Sequence, residues 1–152
     1  MPKYPERGFD GDIAWEQDPD TGVAEQKGAA LASMRRDSTF YQDIKLRELY
    51  PKIELKGGMK LGPRETLVLE APRGGNPKRW YFDVETGLLL RSDERNASGT
   101  VIRSEEFDNY KSIDGVKVPF TIRMLEEALI TITLTEVRQN VSIEDSVFSK
   151  PK

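Results

Sequence analysis

Over residues 116–134 apolar and polar side chains alternate almost one for one, and that period limits what the chain can fold into. Val116, Val118, Phe120, Ile122 and Met124 fall on one side, with Lys117, Thr121 and Arg123 on the other. Ile130, Ile132 and Leu134 continue the pattern, interleaved with Thr131, Thr133 and Thr135. A period of two belongs to a strand with one covered and one wet face; an amphipathic helix needs 3.6. Trp80, Phe82 and Val84 repeat the pattern earlier, and so do Ile53 and Leu55.

Turn chemistry separates these runs. Glu85-Thr86-Gly87 links a strand expected over 78–84 to one over 88–95, and Ser112-Ile113-Asp114-Gly115 links 101–110 to 116–126. A strand over 53–56 should end at Gly57-Gly58. Another over 66–71 should lie between Leu61-Gly62-Pro63 and the Pro72 to Pro77 loop, and the last should run over 129–137. Near the start, an Asp10-Gly11 turn leads into a short strand holding Ile13 and Trp15, closed by Pro19, Asp20 and Gly22. Residues 143–148 read as a tail that docks back. Strands joined by tight turns make an antiparallel meander.

One segment, about 28–46, has a helical pattern. Ala29, Ala30, Leu31, Ala32 and Met34 are good helix formers, and Asp37-Ser38 can cap a second turn. Two short helices are expected, over 28–36 and 39–45, with Leu31, Met34, Phe40, Tyr41 and Ile44 as their apolar stripe. Tyr50-Pro51 ends the segment, because a residue before proline avoids the helical region. The fold class is therefore α+β and mostly β, in a single domain over 1–152.

At 152 residues the chain can bury one core, although a 32% charged and 37% hydrophobic composition makes that core lean. The net charge of −3 is spread over both signs, with no basic stripe for nucleic acid. There is no His and no Cys, which removes zinc sites, thiolate nucleophiles and His-based acid–base chemistry together. Glu105-Glu106, Asp108, Glu126-Glu127 and Glu144-Asp145 read as surface acids. Neighbours on a strand point to opposite faces, so Glu105 and Glu106 cannot form a catalytic pair by themselves. The acids after Asp18 only faintly echo a calcium loop. No run is long and apolar enough to span a bilayer, and residues 1–8 lack the apolar stretch of a signal peptide. The chain is read as non-enzymatic, with no cofactor and no metal.

Three stretches carry a family resemblance: GFDGDIAWEQDP (8–19), WYFDVETGLLLR (80–91) and IDGVKVPFTIR (113–123). In this order and spacing they resemble the LolA-like, outer-membrane lipoprotein-sorting superfamily of bacterial exported domains. The resemblance implies a curved antiparallel meander, an incomplete half-barrel covered by one or two short helices, whose hollow takes a lipid or a lipoprotein acyl group. It also implies a periplasmic, envelope or extracellular location. On this reading Trp15, Trp80, Phe82, Phe120, Ile122, Ile132 and Leu134 line the hollow; Leu31, Met34, Phe40 and Ile44 form a lid over about 28–46; the strands run over about 52–137 and a tail over 138–152. Ordinary core packing explains the same apolar pattern, and an enzyme on this scaffold would have to work with Asp, Glu, Lys, Tyr or Arg. Family members carry a helix and several strands before the first of these stretches. Their absence here implies an open sheet edge, and with it a homodimer or a strand-pairing protein partner.

Overall fold

The structure, a computed structural model, describes residues 5–39, 41–42, 44–73 and 76–151. They divide into two units, one holding the described residues up to Leu49 together with those from Val141 on, the other spanning Tyr50–Asn140.

In the first unit β1 (Glu6–Phe9), β2 (Ala14–Asp18) and β3 (Gly22–Gln26) form an antiparallel sheet in that order. Asp10 closes the first turn, its carboxylate accepting the backbone N–H of Asp12 (2.9 Å) and Ile13 (2.7 Å). Asp18 closes the second through the N–H groups of Asp20 and Thr21. Both are local Asx closures, which the Asp-Gly and Pro-Asp signals foretell. β1 and β3 were not expected. Their sequences, ERGF and GVAEQ, lack the alternation that marks a half-buried strand. Trp15 is buried, and its indole N–H donates to the Phe148 carbonyl at 3.0 Å, so the tail does dock back within this unit, through a short 3₁₀ turn at Asp145–Val147. Gly8 lies opposite Trp15, where a Cβ would come within 2.2 Å of the indole ring. Lys150 pairs with Glu25 at 2.6 Å.

The helix α1 covers Gly28–Asp37, close to the expected 28–36. The second helix is displaced: α2 is a single turn at Leu46–Leu49, and the described residues of 39–45 (Phe40 and Asp43 lie outside them) carry no helix. The Thr39 hydroxyl and the Gln42 amide donate to the Arg35 and Asp37 carbonyls at 3.2 and 2.7 Å. These side chains satisfy two of the last carbonyls of α1 and close that helix. A turn follows in which Lys45 N–H donates to the Tyr41 carbonyl at 3.0 Å, and α2 continues from it, the Lys45 carbonyl accepting Glu48 and Leu49 N–H.

The second unit is a seven-stranded antiparallel sheet in the order β10-β9-β8-β7-β6-β5-β4, every strand beside its sequence neighbour, and it does not close into a barrel. The strands are β4 (Glu54–Leu61), β5 (Arg64–Arg73), β6 (Asn76–Asp83), β7 (Leu89–Arg95), β8 (Val101–Ile113), β9 (Val116–Leu125) and β10 (Leu129–Thr133). The β8–β9 turn has positive φ at both Asp114 (49°) and Gly115 (84°), the pairing that a twisted two-residue hairpin requires. Register shifts at Leu55/Gly57, Tyr81/Phe82 and Glu94/Arg95 add local twist and bend the sheet into a curved meander. β4 runs through Gly57-Gly58, where a strand end was expected. Gly57, at φ 107°, absorbs the extra residue of the first bulge. Val84 was expected to continue β6 but lies exposed in the following turn.

Candidate functional site

Residues opposed across an antiparallel ladder share a face, so the register sorts the second unit into two surfaces. Trp80 opposes Leu69 on β5 and Ser92 on β7; Ser92 opposes Glu105, which opposes Met124, which opposes Ile130. The same face takes Leu55, Leu67, Phe82, Leu89, Phe107, Phe120, Ile122 and Ile132. Leu134 joins it, because its N–H donates to the Phe120 carbonyl at 2.9 Å and extends the β9–β10 register by one step.

Six of the seven side chains proposed to line a hollow, Trp80, Phe82, Phe120, Ile122, Ile132 and Leu134, thus lie on one face of one sheet. The seventh, Trp15, belongs to the other unit, where it anchors the tail. Trp80 is buried against Tyr50, ring centres 4.8 Å apart at 65°. Phe120 is buried beneath the Lys111 ammonium, 4.2 Å from the ring centre. Phe82, Ile122 and Leu134 are half-buried, and Ile132 is 39% exposed. Of the proposed lid residues, Leu31 and Met34 are half-buried on α1, Ile44 is 84% exposed, and Phe40 lies outside the described residues.

The face is not uniformly apolar. Between the β4–β6 group (Leu55, Leu67, Leu69, Trp80, Phe82) and the β9–β10 group runs a polar seam. The buried Ser92 hydroxyl donates to Glu105 at 3.1 Å, and Arg103 donates to the same carboxylate at 3.0 Å. Glu105 is therefore not a free surface acid. Glu106 points to the opposite face, towards Arg91 at 3.5 Å, as strand alternation requires.

That opposite face is polar, yet its centre is buried: Thr66, Val68, Tyr81, Asp83, Asp93 and Ser104 all lie within it. Asp93 accepts the Tyr81 hydroxyl at 2.9 Å and the Arg95 Nε at 3.2 Å, and Arg91 lies 3.5 Å from it. Glu70 pairs with Arg79, and Asp83 with Arg64. Hydrogen bonds from Arg64, then Thr86, hold the Asp83 carboxyl well below the usual carboxylate range. Sequence reading missed this network, because a polar residue on an alternating strand is assigned to water by default. The one available signal was the spacing of Tyr81, Asp83, Arg91, Asp93 and Arg95, all odd-numbered on two hairpin strands and so able to share a face.

Two clefts at the sheet rim, of about 210 and 290 Å³, are lined by Lys52, Glu54, Glu70 and Pro72, and by Arg64, Glu65, Asp83 and Glu85. Neither contains a proposed lining residue. No group of three or more metal-ligating acids gathers among the described residues, and no helix among them is long and apolar enough to cross a membrane.

No protein-family model matches the chain, and no curated protein matches it by sequence. Solved structures do. A protein described as an outer membrane lipoprotein-sorting protein domain, from Vibrio parahaemolyticus, aligns with a TM-score of 0.64 at 17% identity, over 90% of this chain and 63% of that one. A DUF1329 family protein from Desulfovibrio piger aligns at 0.59 with 18% identity, over 95% of this chain and 66% of that one. A LolA superfamily protein from Nitrosomonas europaea aligns at 0.59 with 16% identity, over 92% and 67%. The chain thus spans less than two thirds of the length of the first of these proteins, and the architecture that the three share with it is its fold: this chain has a LolA-like fold.

Proposed function

We propose that this chain is a non-catalytic carrier or sensor domain for a hydrophobic ligand, a lipid or the acyl group of a lipoprotein, in a bacterial envelope. The observation that supports it most is the β9–β10 part of the apolar face. Ile130 and Ile132 stand exposed there opposite half-buried Met124 and Ile122, on the same face as buried Phe120. Covering such a surface with an acyl chain is favourable by roughly 0.8 kcal/mol per methylene removed from water. The Ser92–Glu105–Arg103 seam beside it is suited to a polar end group, so an amphipathic molecule matches the face better than a pure hydrocarbon. The likeness to a lipoprotein-sorting domain supports the ligand class and the envelope location.

A titration with a fluorescent fatty-acid probe tests the reading. Saturable binding is expected, weakened at least tenfold, about 1.4 kcal/mol, by Ile122→Asp and left unchanged by Trp15→Phe, which lies in the other unit. Absence of saturable binding, or equal weakening by both substitutions, would count against it.

A further inference from the structure

We infer that the free edge of β10 pairs with β10 of a second copy of this chain, antiparallel about a two-fold axis through Ile132. The sheet has two edges, and they are built differently. β4 carries Glu54, Lys56 and Lys60, two glycines and a bulge, the devices by which edge strands resist pairing. β10 is Leu-Ile-Thr-Ile-Thr, uncharged, free of proline and bulge, and exposed at all five residues. Its β-branched content favours an extended ladder.

The hydrogen-bonding groups are aimed correctly. Leu134 N–H points inward to Phe120, so by alternation Ile130 and Ile132 also point inward. The N–H and C=O groups of Leu129, Thr131 and Thr133 then face the open edge.

A second copy fits because the strand complements itself in one register. An axis normal to the sheet at Ile132 sets Ile132 against Ile132 and Ile130 against Leu134 on the apolar face. On the other face it sets Thr131 against Thr133, and these two exchange main-chain hydrogen bonds. Aliphatic and Thr–Thr cross-strand pairs are favourable kinds. At the flanks Glu126, 3.9 Å from Arg103 in its own chain, comes towards Arg138. Arg138 already forks to Glu136 at 2.8 and 2.9 Å and would bridge the two carboxylates. An axis one residue earlier, at Thr131, would bring Glu126 towards Glu136 itself. Charge thus adds a modest preference for the first register. The pairing uses the main chain of β10 and extends the apolar face into the second copy, so it does not compete with a ligand on that face. Five residues a side is a small interface, so the association is a weak one.

The full chain, which has no cysteine of its own, makes the test clean. Ile132→Cys places two thiols at the axis and should oxidise to a disulfide dimer about tenfold or more faster than Ile44→Cys, a control on an exposed residue, because pairing raises the local thiol concentration. Sedimentation over a concentration series should show wild type moving from monomer to dimer. Thr131→Pro removes one outward N–H and should remain monomeric, with its fold checked by circular dichroism. A wild type that is monomeric throughout, a dimer that Thr131→Pro leaves intact, or equal oxidation of the two cysteine variants overturns the proposal. So does a monomer whose β10 amides gain exchange protection only with an added host extract, which would assign the edge to a different strand.

Discussion

Asp83 holds two structures together at once. Its carboxylate accepts the N–H and hydroxyl of Thr86, closing the β6–β7 hairpin, and it takes a forked contact from Arg64, with Nε at 3.2 Å. The charged carboxylate accepts these bonds more strongly than the protonated acid does, and so those from Arg64, then Thr86, depress its pKa below the usual carboxylate range. A depressed carboxylate stabilises the fold above its unfolded pKa, and that contribution fades as pH falls through the folded value. Asp83→Asn should therefore lower stability at pH 7 and flatten the loss on going from about pH 5 to pH 2. Denaturant unfolding across that range checks it; an unchanged slope would show that Asp83 is not a source of the acid sensitivity. Tyr81 makes a second case. Its hydroxyl is one of the donors to Asp93, and both residues are 2% exposed. Removing it in Tyr81→Phe leaves a buried carboxylate short of a partner, at an expected cost of about 1–3 kcal/mol in urea unfolding. A loss under about 0.5 kcal/mol would fall in the range of ordinary surface substitutions and contradict the network.

Among the elements, the strands that alternate were legible and those that do not were hidden. The β8–β9 and β9–β10 hairpins follow from the alternation over Val116 to Leu134 and from Asp114-Gly115, although β8 runs past the expected 110 to Ile113 and β10 stops at Thr133, short of the expected 137. β1 and β3 have no period, because four of β3's five residues and half of β1 are exposed. Gly57-Gly58 misled differently: two glycines signal a strand end or a bulge with equal force, and only the register with Val68 and Leu69 tells which. The two positions should separate in experiment. Gly57→Ala forces a side chain to φ 107° and should cost about 1–3 kcal/mol. At Gly58 a Cβ would meet the Thr66 carbonyl at an ordinary 3.6 Å, so Gly58→Ala should be nearly neutral. Thermal unfolding of the two variants side by side decides it; equal effects would place the bulge elsewhere. The helix boundary failed for a related reason. Asp37-Ser38 looks like the start of a helix, while the capping carried out by Thr39 and Gln42 ends the one before.

For the molecule as a whole, alternation identified the six side chains that share the apolar face, and it could not reveal the polar seam crossing that face. Ser92 and Glu105 lie on strands whose apolar members are few, so their orientation depends on registers that only the folded sheet defines. The seam changes the ligand that fits, from a hydrocarbon to an acyl chain with a polar end. Native mass spectrometry of the chain purified from a lipid-rich bacterial lysate tests this most directly. An adduct of acyl-lipid mass should be retained on wild type and lost from Ile122→Asp at unchanged fold. A bare protein mass for wild type, in a preparation where the lipids are demonstrably present, would contradict the carrier reading.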